Sequence, residues 1–308
     1  MSETFTVQTS ELTNIRDKVV LITGGSSGIG LATAQLVLSL ADTNRVAILD
    51  RAAAPASLTS SNNSDRVLFH QCDLTSWTAQ RAGFDAAVAK FGRIDFVVAN
   101  VGLNEKGVQF FSDELDGDGK LKEPDRSVLD VTFTANADTV KLAIHHLRSN
   151  KNGGGIIMIS SFAGYLGNAG APYYNASKHA IVGLLRSLKP EVPKVGVAIS
   201  VVAPAITSTP MLGSLDGNVT PAQAEARLTN LGVLVNRVES VALAVAHLIN
   251  LGADSNGMGI LVQGDRMRDV EKGYAKSRST LLGKEMLDMF RQGSGKELYP
   301  RLKIEAKI

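Results

Sequence analysis

The sequence predicts an α/β protein with a doubly wound parallel sheet in a single domain, and three observations carry that expectation. Short β-branched apolar runs recur at 18–23, 45–50, 67–70, 94–100, 156–159, 195–203 and 259–263, with helical patterns between them. Their lack of polar alternation is that of strands covered on both faces. A glycine-rich turn, Gly24 to Gly30, joins the first run to the helical stretch LATAQLVLSLA. The second run ends in an acid, Asp50, twenty residues after Gly30. With 308 residues and 44% hydrophobic content, the chain can bury one sizeable core.

Residues 1–16 are polar and without periodicity, so they are expected to form an arm, flexible or packed on the surface. The main domain is expected over 17–264 and a C-terminal extension over 265–308. After the strand KVVLIT, glycines let the backbone turn tightly and approach a pyrophosphate, which then faces the amides of a helix N-terminus. The spacing is GxxxGxG, through Gly24, Gly28 and Gly30. A carboxylate at the position of Asp50 hydrogen-bonds an adenosine ribose 2′-hydroxyl and repels a 2′-phosphate. NAD is therefore expected over NADP, although Arg51 pulls the other way.

Residues 52–64 read as a small polar loop. The third strand, 67–70, is followed by Cys72, a buried thiol whose solitude excludes an intrachain disulfide and fits a reducing compartment. A helix over 77–91 ends at Gly92, and the strand IDFVVAN ends at Asn100, two residues before Gly102. Residues 103–124 form an acidic loop at the pocket mouth. Its DGDG lacks the terminal glutamate of a calcium loop. A strong helix spans 125–149, and its His145 and His146 have no second ligand at metal spacing, so no metal site is expected. Residues 207–236 read as a substrate lid, 238–251 as a helix, and the stretch from 265 as a charged tail containing amphipathic LLGKEMLDMF. The net charge of +2, with both signs interspersed, favours neither nucleic acid nor anionic membrane. No signal-peptide or bilayer-spanning run is present, which makes a cytoplasmic location the expectation.

The chemistry centres on Ser161, Tyr174 and Lys178. Tyr174 and Lys178 lie four apart, on one face of a helix. A tyrosine titrates near pH ~10, and a lysine cation in reach can lower that by about 1 to 3 units. The pair can then act as a general base, with Ser161, at the end of a strand thirteen residues earlier, placed to meet it over a substrate oxygen.

At Ser161, Tyr174, Asn175, Ala176, Ser177 and Lys178, with the glycine turn after Thr23, the chain resembles the short-chain dehydrogenase/reductase family. The resemblance implies a Rossmann fold in which Gly24, Ser26, Ser27, Gly28, Ile29 and Gly30 cradle the dinucleotide. It implies that Asp73 contacts the adenine amino group with Leu74 nearby, unless Asp73 or Thr75 serves as a helix cap. Asn100 would brace the sheet and Gly102 would pass close to the nicotinamide ribose. Lys178 would bind the ribose hydroxyls, the backbone of Ile206 would meet the carboxamide, and Thr209 would bond it or the pyrophosphate. Serines at 26 and 27, where NADP-preferring relatives often carry a base, again favour NAD.

Two departures stand out. Thr132 occupies the place of an asparagine that kinks the helix and holds a water behind the lysine, and Asn136, one turn on, could substitute in part. Ala205 replaces a glycine, which is harmless only if its φ is negative. The long loop and tail resemble fungal members related to prostaglandin dehydrogenase. The expected function is NAD-dependent interconversion of a secondary alcohol and a ketone on an apolar small molecule such as a secondary metabolite. The alternatives are a net non-redox step with the cofactor retained and a protein that only senses the dinucleotide. Pairing through helices 125–149 and 173–189 would give a homodimer or homotetramer.

Overall fold

The computed structural model describes residues 4–59, 64–105, 107–213 and 219–294. Parts of the expected polar loop (60–63), lid (214–218) and tail (295–308), with 1–3 and 106, lie outside the described residues. The elements in chain order are β1 Val19–Thr23, α1 Gly28–Leu40, β2 Arg45–Asp50, α2 Ala56–Thr59, β3 Val67–Gln71, α3 Trp77–Phe91 and β4 Phe96–Ala99. There follow α4 Ser127–Leu129, α5 Ala135–Leu147, β5 Gly154–Ile159, α6 Pro172–Leu188, β6 Val197–Pro204, α7 Pro210–Gly213 and α8 Pro221–Asn230. The chain continues with α9 Val238–Leu251, β7 Gly259–Gln263, β8 Arg266–Asp269, α10 Val270–Leu282 and α11 Lys284–Ser294.

The eight strands form one sheet in the order β3-β2-β1-β4-β5-β6-β7-β8. All neighbours are parallel except β7 and β8. Every residue of β1, β4 and β6 is buried, as a sheet with helices on both faces requires. Successive residues of β1 face opposite layers. Val20 and Ile22 join α1, α9 and the N-terminal segment, while Leu21 joins α3, α5 and α6. Strand order reverses between β1 and β4, the switch point at which such sheets open a crevice at their carboxyl edge.

Local chemistry sets the element ends. Ser76 caps α3 by accepting from the amide of Ala79, and Gly92 closes it in the left-handed conformation at φ 82°. The expected helix at 125–149 is interrupted: between α4 and α5, residues 130–134 form a π-turn. Asn136 donates both to the carbonyl of Thr132 at 2.8 Å and to that of Val101 at 2.8 Å, which ties the widened turn to the end of β4.

The two ends of the chain are more ordered into the core than their sequence suggests. Val7, Leu12 and Ile15 are buried, and Phe5 pairs with Met267. Their irregular spacing gives no periodicity to read. The sheet also continues past residue 264. Gly264 and Asp265, with φ of 55° and 62°, make a two-residue hairpin turn into β8, whose sequence RMRD does not read as a strand. Buried Glu271 in α10 then pairs with Arg186 of α6 and with Lys189 just past its end, fastening the extension to the helix that carries Tyr174. Among the described residues no helix is long and apolar enough to cross a membrane.

Candidate active site

A cleft of about 1200 Å³ follows the crevice and is lined by the glycine turn, the ends of β2, β4 and β6, the first turn of α6, and the lid. At its first end the turn leaves β1 through Gly24 at φ 68°, whose amide donates to the carbonyl of Leu49. A Cβ on Gly30 would stand 2.3 Å from the Gly24 carbonyl oxygen, so the close approach of turn and helix admits only glycine. No side chain of Ser27 caps α1, which leaves the first-turn amides of the helix to an acceptor from the cleft. Thr209 packs against Gly28, 3.4 Å from where a Cβ would be.

Asp50 holds the end of β2 to this turn. One carboxylate oxygen accepts from the amide of Ser26 at 3.0 Å and the other from that of Ala52 at 2.9 Å. The Ser26 hydroxyl donates to the carbonyl of Ala52 at 2.8 Å. Arg51 is exposed beside it on the cleft wall, with Ile29 nearby. Asp73 accepts from both the amide and the hydroxyl of Thr75, and these bonds hold its carboxyl below the usual range. The helix cap, the alternative role for Asp73 or Thr75, falls to Ser76. Leu74 is buried next to them, and burial pushes the Cys72 thiol up to about 11.

Asn100 braces the centre. Its amide group donates to the carbonyls of Thr23 at 3.1 Å and Gly24 at 2.9 Å, and its backbone donates to the Thr23 hydroxyl. Gly102 lies between two polar groups: a Cβ there would sit 3.6 Å from Lys178 Nζ and 3.7 Å from Thr132 Oγ1. Thr132 is fully buried and accepts from the amide of Leu103 at 3.0 Å. Its hydroxyl thus serves the loop after β4, while Asn136 holds the π-turn and keeps a buried Oδ1 with no partner among the described residues.

Ser161, Tyr174 and Lys178 come together on the wall of this cleft. Ser161 follows β5 and caps the short turn at 162–164, accepting from the amide of Ala163. Tyr174 stands in the first turn of α6 and lines the same cleft as Ser161. Lys178, one turn further in, is buried, donates to the carbonyl of Ile159 at 3.0 Å and lies 5.6 Å from the centre of the Tyr174 ring. The electrostatics differ from the sequence expectation. Burial pushes Lys178 down to about 7, and burial pushes Tyr174 above the usual tyrosine value, with the nearby Ser161 hydroxyl acting in the opposite direction. Desolvation disfavours both charged forms at once, so the protein's own groups do not make tyrosinate favourable.

At the other end of the cleft, Ala205 has an unstrained backbone: among the described residues only Asp17 and Asp265 combine a side chain with positive φ. Ile206 follows with 39% of its surface exposed, its carbonyl accepting from the amide of buried Asn236. Leu103, Phe162, Met211, Leu212, Val233 and Leu234 give this end an apolar lining. Two residues that the sequence reading left inside an acidic loop belong here. Asn104 donates to the carbonyl of Met211 at 2.8 Å, reaching the lid, and Glu105 accepts from the amide of Tyr174 at 2.9 Å. The signal for Glu105 was Ala171-Pro172, a helix start with no cap of its own.

A cleft of about 1200 Å³ over a glycine turn, lined also by a serine, a tyrosine and a lysine, is an arrangement that nicotinamide-dependent oxidoreductases require. The chain belongs to the short-chain dehydrogenase family, whose model matches residues 18–219. It is 31% identical to the short-chain dehydrogenase/reductase ATR7 of Stachybotrys chlorohalonatus over 94% of this chain and 92% of that one. It is 28% identical to the 5′-hydroxyaverantin dehydrogenase of Dothistroma septosporum over 86% and 92%. Among solved structures it resembles levodione reductase with a TM-score of 0.65 at 22% identity, covering 81% of this chain and 97% of that one. The chain is therefore an oxidoreductase acting on CH–OH groups with NAD or NADP.

Proposed function

We propose that this chain is an NAD-dependent dehydrogenase that interconverts a secondary alcohol and a ketone on an apolar small molecule, with Ser161, Tyr174 and Lys178 as its catalytic residues. The convergence of those three side chains on one wall of the cleft that the glycine turn opens carries the reading. Ser161 holds the substrate oxygen, Tyr174 takes or returns the hydroxyl proton, and Lys178 donates to ribose hydroxyls and supports tyrosinate. A bound nicotinamide would supply the hydride acceptor or donor and, when oxidised, a positive charge. Lowering a tyrosine from ~10 to ~7 takes about 4 kcal/mol. Because burial raises Tyr174 and lowers Lys178, the bound dinucleotide has to contribute much of that field.

The turn from Gly24 to Gly30 and the open amides of α1 take the pyrophosphate, with Thr209 closing over it. Asp73 and Leu74 would contact the adenine, and Asn100 and Gly102 line the centre of the cleft. Asp50, fixed by two backbone amides at the cleft edge, supports NAD over NADP, because a 2′-phosphate beside it would meet a carboxylate that cannot swing away. The apolar lid and the likeness to a 5′-hydroxyaverantin dehydrogenase support a secondary-metabolite substrate. Pairing of α5 and α6 with their copies in a homodimer or homotetramer fits the general preference for closed symmetry.

The test is a thermal-shift titration with NAD, NADH, NADP and NADPH at equal concentrations, since ligands of the native state raise apparent stability by RT ln(1 + [L]/Kd). NAD and NADH should give the larger shifts. Larger shifts with the phosphorylated pair would transfer the choice from Asp50 to Arg51.

A further inference from the structure

Helix α6 begins without a cap of its own. Ala171 occupies the N-cap position, where it offers no side-chain acceptor, and Pro172 follows, so the first-turn amides must find partners elsewhere. The partner of Tyr174 comes from 69 residues away: Glu105 Oε2 accepts its amide at 2.9 Å. An anionic acceptor suits the positive end of a helix. The arrangement is nevertheless costly, because Glu105 Oε1 is buried with no partner among the described residues. A serine or aspartate at 171 would cap the helix locally without burying a second carboxylate oxygen.

What a local cap could not do is join α6 to the segment that follows β4. That segment is bonded at successive residues to different walls of the cleft. Asn100 holds the glycine turn, Leu103 donates to Thr132 in the π-turn, and Asn104 donates to Met211 in the lid. Glu105 adds the helix bearing Tyr174 to the same strap. A break of a local rule where a reacting group is held points to function more than to stability.

We propose that Glu105 is a positioning residue for Tyr174: by accepting the tyrosine's own backbone amide, it fixes the phenol relative to the strap that lines the cleft. The proposal rests on the reading of Tyr174 as the proton-transferring group. Misplacement of a reacting group by about 1 Å can cost on the order of 100-fold in rate, so the contact should show in turnover more than in binding.

The experiment compares the full-length protein with Glu105→Ala and Glu105→Gln, using NAD and cyclohexanol as the probe alcohol and following hydrogen exchange in the first turn of α6. Glu105→Ala should lower kcat about tenfold or more, with KM for cyclohexanol and the NAD dissociation constant within about threefold of wild type. It should also speed amide exchange at 173–176. Glu105→Gln keeps an oxygen acceptor and should restore both properties to within about threefold. Unchanged exchange in Glu105→Ala, or a Glu105→Gln variant as impaired as Glu105→Ala, overturns the proposal. A wild-type protein that turns over no secondary alcohol overturns the reading of Tyr174 beneath it, and exchange reports the contact independently of that result.

Discussion

The two sides of the cleft are built differently. On the side of the glycine turn, the side chains of Asp50 and Asn100 each bond the backbone at that turn, with both carboxylate oxygens of Asp50 engaged. On the catalytic side, Glu105 Oε1 and Asn136 Oδ1 are buried without partners among the described residues, and burial acts against the charges of both Tyr174 and Lys178. One side is fixed by its own short bonds and leaves only the first-turn amides of α1 facing the cleft. The other is arranged around groups whose favourable state depends on what binds. A general binding frame can be satisfied in advance, whereas a proton-transferring site has to be balanced between two protonation states.

The contrast can be broken most severely at Gly30. Gly30→Ala puts a methyl 2.3 Å from the Gly24 carbonyl, so the turn must shift. The expected result is a loss of about 3 kcal/mol in stability, read by denaturant titration, with dinucleotide thermal shifts abolished. Wild-type affinity in that variant would show that the turn is looser than its geometry.

Lys178 sharpens the comparison through pH. Its value in the fold, about 7, lies below the 10.5 of an ordinary lysine, so the unfolded chain binds the proton more tightly. The resulting penalty is fully present below about 7 and is relieved as pH rises toward 10.5. Wild-type protein without dinucleotide should therefore gain melting temperature relative to Lys178→Met between those limits. Parallel curves for the two proteins would mean that Lys178 is charged in the fold.

The smallest effect is expected at Thr132. Thr132→Asn restores the residue that the family usually carries, but the π-turn is already held by Asn136 and the Leu103 amide can still find an acceptor. The change in kcat should stay within about threefold and in stability within about 1 kcal/mol. A tenfold gain in kcat would show that the missing amide limits proton transfer.

The same contrast explains what could be read from the chain. The glycine turn, Asp50 and helix α3 with its Gly92 end are legible because each is a local rule of backbone conformation or spacing. Strand β8 and the N-terminal segment were not, since RMRD and the scattered Val7, Leu12 and Ile15 acquire meaning only against the assembled sheet. Ser161, Tyr174 and Lys178 were visible by spacing, but the direction in which burial moves Tyr174 was not, because it depends on what surrounds the phenol. For Glu105 the sequence shows only that α6 starts without a cap, not which residue supplies one, because the partner lies 69 residues away.

The most direct measurement follows ketone and reduced dinucleotide together when a secondary alcohol is supplied to wild-type protein and to Tyr174→Phe. The account predicts one reduced dinucleotide per ketone in wild type. It predicts a fall in turnover of about 1000-fold in the variant with NAD affinity unchanged, as expected when a general base is removed. Product without reduced dinucleotide, or undiminished turnover in Tyr174→Phe, would contradict it.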